Sequence, residues 1–159
     1  MRFRPPTSEE VVARMANDIL VMPNGCWEWT RATNADGYGV LGIGGVKGKN
    51  KKAHRVMFEA MRGPIPGAAQ LDHTCHNEPT CRAGSECRHR RCVNPAHLEP
   101  STNRRNTLNG HGITAVNARK TKCLREHPLS PDNLLASRDG KRRCKTCHRE
   151  RARAARTRR

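Results

Sequence analysis

Two runs of the chain decide its fold: Leu71-Asp72-His73-Thr74-Cys75-His76, and Cys92-Val93-Asn94-Pro95-Ala96-His97-Leu98-Glu99-Pro100. Between them lies an insertion, Asn77 to Arg91, with Cys81, Cys87 and His89. From Leu71 to Leu98 the chain is too rich in Cys, His and Pro for a plain helix or strand. Thiols and imidazoles at this density read as metal donors, and structural Zn2+ takes four of them in a closed tetrahedron. With His76 just before the insertion, His76, Cys81, Cys87 and His89 read as one such set by spacing. A Cys81–Cys87 disulfide or two free thiols are the other readings of the same residues.

The rest of the composition explains why a metal is needed. The 159 residues are only 35% hydrophobic, against roughly 45–50% in ordinary globular domains. A chain this short with so little apolar material rarely closes a core unaided. Its eight Cys and eight His are the obvious staples. No run approaches the roughly 20 apolar residues of a membrane span. The start, Met1-Arg2-Phe3-Arg4-Pro5-Pro6, does not read as a signal peptide. A reducing, cytoplasmic setting is therefore expected, where thiols favour metal over disulfide. Lys and Arg number 31 against 14 Asp and Glu, a formal net charge of +17 that calls for a polyanionic partner, nucleic acid first.

Working outward, Thr7-Ser8-Glu9-Glu10 has the form of a capping box, and Val11, Val12, Met15, Ile19 and Leu20 continue it as an apolar stripe, so a helix is expected from Thr7 to about Val21. Cys26 to Thr30 alternates as a strand. After the turn signal Asn34-Ala35-Asp36-Gly37, Tyr38 to Ile43 reads as its hairpin partner. Trp27 and Trp29 read as packing residues of that hairpin, with base stacking as the other option. Gly44 to Lys52 reads as a loop whose Lys47, Lys49, Lys51 and Lys52 suit a phosphate backbone or a plain solvated surface. Ala53 to Arg62 reads as a helix with Val56, Met57, Phe58 and Met61 inward, stopped by Gly63-Pro64. Pro100 to about Gly110 reads as a helix capped by Ser101 or Thr102.

Ile113 to Lys122 reads as a linker. Beyond it, Cys123-x3-His127 and Cys144-x2-Cys147 bracket a loop with a turn at Asp139-Gly140, a zinc-finger spacing in which His148 is a substitute for Cys147. Arg142, Arg143, Lys145, Arg149, Arg151 and Arg153 surround this unit as candidate nucleic-acid contacts, and Arg149 to Arg159 reads as a basic helix.

Several motifs together resemble the HNH, or His-Me finger (ββα-metal), endonucleases, closest to phage-type and intron-encoded homing enzymes, including the His-Cys box group. They are Cys26-Trp27-Glu28-Trp29, Gly37-Tyr38-Gly39, His54-Arg55, Asp72-His73-x-Cys75, Cys92-x-Asn94-Pro95-x-His97-Leu98 and Asn106, spanning Cys26 to Gly110. The resemblance implies a β-hairpin and a helix around one catalytic Mg2+ or Mn2+. It makes His73 the general base, Asp72 and Asn106 the ligands of that ion, and Arg55 a phosphate contact or a mere surface charge. It also implies a zinc site at Cys26, Cys75, Cys92 and His97, and cleavage to 5′-phosphate and 3′-hydroxyl ends. Asn94 is assigned to loop structure instead, because Asn-Pro forms turns.

The expected architecture is a small, zinc-stapled α+β protein. An N-terminal helical segment occupies 1–22, a His-Me finger nuclease core 23–112, a linker 113–122 and a zinc finger with a basic tail 123–159. The expected function is a metal-dependent endonuclease acting on double-stranded DNA, of phage or homing type, as monomer or homodimer with two to three Zn2+. A non-catalytic zinc-dependent DNA- or RNA-binding protein is the alternative; it has no need of the trio Asp72, His73 and Asn106.

Overall fold

The structure, a computed structural model, describes residues 6–43, 49–77, 81, 84–135, 137 and 139–158. The chain divides into two compact units, Met1–Ala115 and Val116–Arg159. Among the described residues, eight short strands pair as four antiparallel two-stranded sheets among five α-helices. None of the described helices is long and apolar enough to cross a membrane.

Helix α1 (Ser8–Ala16) starts with the expected capping box: Glu10 N donates to Thr7 Oγ1, and Thr7 N donates to Glu10 Oε2 at 2.8 Å. It ends sooner than the apolar stripe suggests. Asn17 and Asp18 turn the chain, and Ile19–Val21 becomes strand β1, paired with β2 (Trp27–Trp29). The expected hairpin between 26–30 and 38–43 is thus replaced by two others. The turn at Asn34 does form, closed by Gly37 N to Asn34 O, but beyond it β3 (Val40–Ile43) takes β4 (Lys49–Lys52) as partner. β1 and β4 each lie closer along the chain to their actual partners, so the shorter loops win. Half of the expected lysine loop is therefore strand, with Lys49, Lys51 and Lys52 exposed on β4. Lys47 lies outside the described residues.

Helix α2 (Ala53–Arg62) has the expected bounds and buries Val56, Met57 and Phe58. Met61, expected inward, is 48% exposed. Met15, Trp29, Leu41, Ala53, Val56, Met57 and Val93 form the main core, so Trp29 is a packing residue, with Trp27 against it. A smaller cluster, Phe58, Leu71 and Leu98, fastens β5 (Gln70–His73) and β6 (Leu98–Ser101) to α2. That β5/β6 hairpin lies where composition argued against regular structure; the Cys and His residues sit mainly in the 3-10 turns between its strands. Helix α3 (Asn103–Asn109), capped by Thr102, packs on β5. Ile113–Arg119, expected as linker, is helix α4.

In the second unit β7 (Leu134–Leu135) pairs with β8 (Arg143–Cys144), and α5 (Lys145–Arg156) follows directly. Arg142 donates to the carbonyls of Asn117, Ala118 and Lys120 at the end of α4 and to Leu129 O. Its guanidinium closes the helix end, where carbonyls lack intrahelical partners.

One glycine shows how tightly the first unit is closed. Gly37 has φ +84°, and a Cβ there would lie 1.9 Å from Ser85 O. Gly37→Ala is expected to cost about 2–4 kcal/mol from the left-handed backbone plus the clash. Gly67→Ala, with φ +43° and open space around it, is expected to cost only about 1–2 kcal/mol. Denaturant unfolding of both variants measures the difference.

Candidate active site and metal centres

The β5/β6 hairpin and α3 bring together the residues expected to do chemistry. Asp72 and His73 are adjacent on β5 and only 4–5% exposed. His73 Nε2 bonds the carbonyl of Cys92 at 3.1 Å. A carbonyl accepts only, so Nε2 carries the proton of the neutral ring and the lone pair is on Nδ1. Burial pushes the His73 pKa down to about 4, so the ring is neutral at ordinary pH.

His54, on the first turn of α2, stands edge-on to His73 with ring centroids 4.7 Å apart, and Tyr38 lies 5.4 Å from His54 and 5.9 Å from His73. Burial, then the neighbouring His73, holds His54 well below the usual imidazole pKa. Lys52 Nζ lies 4.4 Å above the Tyr38 ring, and Arg90 5.2 Å from it. Two cations thus flank an aromatic ring beside the Asp72–His73 pair. Arg55 follows His54 on α2 and is half-buried.

Asp72 is held by amides. Asn109 Nδ2 donates to its Oδ2 at 2.9 Å and Asn77 Nδ2 at 3.3 Å. Asn106 was the residue expected here. It sits one turn earlier on α3, half-buried, and the amide that reaches the carboxylate is that of Asn109. The signal was the repeat Asn103, Asn106, Asn109, whose i, i+3 spacing puts three amides along one helix edge. Asn94 acts in the loop: its Oδ1 accepts from Ala96 N and its Nδ2 donates to Gly25 O at 2.7 Å.

Three Cys/His groups that could hold a metal occur among the described residues, with the membership expected from the sequence: Cys26, Cys75, Cys92 and His97; His76, Cys81, Cys87 and His89; Cys123, His127, Cys144 and Cys147. In each, the donor atoms lie within 4.8 Å of one another. A tetrahedral Zn2+ sets its S and N donors about 3.5–3.8 Å apart. The first group matches, with Cys26 and Cys92 Sγ at 3.6 and 3.7 Å from His97 Nδ1. So does Cys123, at 3.6 Å from both His127 and Cys147. The second group is tighter, 3.0–3.7 Å. The donor sets suit zinc; His148 is exposed, outside the third group. In the first group, hydrogen bonds from Cys75 lead in pushing the Cys92 thiol down to about 5, while Cys26, desolvated, is pushed up to about 11.

The first two groups frame the site. Cys92 gives a sulfur to one and its carbonyl to His73. His76 and His89 of the second group are followed directly by Asn77, on Asp72, and by Arg90, beside Tyr38. Arg90 also donates to Asp36 O at 2.7 Å. The 3-10 turn Arg88–Arg91 is anchored on buried Glu28 of β2, which pairs with Arg88 at 2.6 Å and Arg91 at 3.8 Å.

The family model for HNH endonucleases matches residues 51–83, which hold His54, Arg55, Asp72 and His73. Protein 2.8 of Escherichia phage T7 is 33% identical over 127 residues, 80% of this chain and 73% of that protein. A protein of Enterobacteria phage T3 described as uncharacterized gene 5.3 protein is 34% identical over 76 residues, 45% of this chain and 71% of its own. Protein 7.7 of phage T7 is 33% identical over 82 residues, 52% of each chain. No solved structure matches. The chain belongs to the phage-type HNH endonuclease family, with the small α+β fold that family membership implies.

Because Glu28 is buried while its partners are partly exposed, Glu28→Gln is expected to destabilise the protein by about 1–3 kcal/mol. Trypsin should then cut faster at Arg88 and Arg91. Removing Arg105 from its open pair with Glu99 is expected to cost under about 1 kcal/mol.

Proposed function

We propose that this protein is a divalent-metal-dependent endonuclease that hydrolyses phosphodiester bonds of double-stranded DNA. The observation that carries the reading is the buried Asp72–His73 pair, with one His73 nitrogen tied to a carbonyl, its other nitrogen holding a lone pair, and Asp72 facing the Asn109 amide of α3.

His73 accepts a proton from the attacking water at Nδ1, and the Cys92 carbonyl keeps the ring in the tautomer that allows this. Asp72 and one amide of α3, Asn106 or Asn109, form an oxygen donor pair of the kind that holds Mg2+ or Mn2+ together with water and phosphate. When bound there, the ion supplies charge stabilisation to the phosphorane and to the departing 3′ oxygen. Arg55, Lys52 and Arg90 are placed to balance the charge of the cleaved strand, and the products carry 5′-phosphate and 3′-hydroxyl ends. The three Cys/His groups each hold a structural Zn2+. Lys49 and Lys51 on β4 approach the DNA backbone. In the second unit, Arg143, Lys145, Arg149, Arg151 and Arg153 add affinity through phosphate contacts; Arg142 contributes charge from its post at the end of α4. With phage proteins as relatives, the setting is host cytoplasm.

Supercoiled plasmid incubated with the zinc-loaded protein and Mg2+ or Mn2+ tests this. Relaxed or linear DNA is expected, with His73→Ala slower by about 10²- to 10⁴-fold. Tight DNA binding without cleavage in either metal would favour a zinc-dependent DNA-binding protein instead.

A further inference from the structure

Asn77 stands out among the polar groups that the proposed mechanism leaves unused. Its Nδ2 donates to Asp72 Oδ2 at 3.3 Å, and its backbone carbonyl accepts from His111 Nε2 at 3.2 Å. Its side-chain Oδ1 is buried without a hydrogen-bond partner. A buried acceptor left in that state is costly, and native proteins seldom keep one without a use for it.

The neighbours of Asn77 say what the use is. The cations Arg88, Arg90 and Arg91 belong to the turn that answers Glu28 and Tyr38, and none is recorded bonding the Asn77 amide. The carboxylate of Asp72, itself held by the amide of Asn109, lies at the donating edge of the Asn77 amide. A carboxamide has two edges. Against a bare carboxylate it presents the N–H. Turned over, it presents an oxygen to any hard cation that the carboxylate binds. Asn77 also follows His76 of the second Cys/His group, so an ion in that group would fix the backbone from which the amide swings.

We infer that Asn77 is a third protein oxygen ligand, through Oδ1, for the divalent cation at Asp72. The inference rests on the nuclease reading above. It adds a residue that reaches the cation from the loop after β5, on the side away from α3 in sequence. With Asp72 and one α3 amide it makes a three-oxygen set, which leaves the remaining octahedral positions to water and phosphate.

The test is Mn2+ binding to the zinc-loaded full-length chain without DNA, followed by electron paramagnetic resonance of free Mn2+. Asn77→Ala is expected to weaken binding by about 10- to 100-fold with zinc content and circular dichroism unchanged. Asn77→Asp, which keeps an oxygen and adds charge, is expected to bind Mn2+ at least as tightly as the parent. If Asn77 only donates a hydrogen bond to Asp72, removing that donor frees the carboxylate for the cation, and Asn77→Ala binds Mn2+ as tightly as the parent or more tightly. That result overturns the inference. Asp72→Ala separates the two levels. If it leaves Mn2+ binding intact, the cation site itself is wrong; if it abolishes binding while Asn77→Ala does not, only the Asn77 assignment falls.

Discussion

Four side chains from three separate stretches, Cys26, Cys75, Cys92 and His97, bring their donor atoms within 4.8 Å of one another, and the rest of the first unit is arranged around that convergence. Cys26 leads into β2, Cys75 follows β5, and Cys92 and His97 lie on the return to β6. The main apolar core is seven buried residues, each contributing about 1.5–3 kcal/mol of transfer energy before entropy is counted. Structural zinc in small domains contributes about 10–16 kcal/mol. One such ion bound here would outweigh several buried side chains and let a chain poor in apolar residues close.

The same convergence reaches the candidate active site. Cys92 faces two ways, sulfur to the donor group and carbonyl to His73, so the position of the imidazole is set by the proposed ion rather than by packing alone. The second group repeats the device on the other flank, through Asn77 toward Asp72 and through Arg90 toward Tyr38. Buried polar groups are expensive unless partnered, yet this centre buries Glu28, His54, Asp72 and His73 together. Glu28 is answered by arginines, Asp72 by amides and His73 by a carbonyl. His54 keeps an unpartnered Nδ1, and burial holds it neutral against the two rings beside it.

Motifs of short range were legible in the sequence, and so were donor sets joined by an ion. The capping box, α2, the Thr102 cap and all three Cys/His groups depend on residue type and spacing. Strand pairing was less so. Ile19–Val21 and Lys49–Lys52 look like a helix end and a loop because their strand character comes from their partners, β2 and β3. Met61 carries the helical period but sits beyond the edge of the core. Asn109 was missed because three asparagines at i, i+3 spacing are equivalent until the tilt of α3 on β5 selects one. Arg142 reads as one more basic residue, and only the end of α4 gives its guanidinium a structural task.

The central claim is that metal, not the apolar core, holds this protein closed. Native mass spectrometry of the purified chain, with circular dichroism followed during stepwise chelation, addresses it directly. Three zinc ions per chain are expected, with loss of folded structure in the first unit as they leave. A metal-free chain with an unchanged spectrum would contradict the claim.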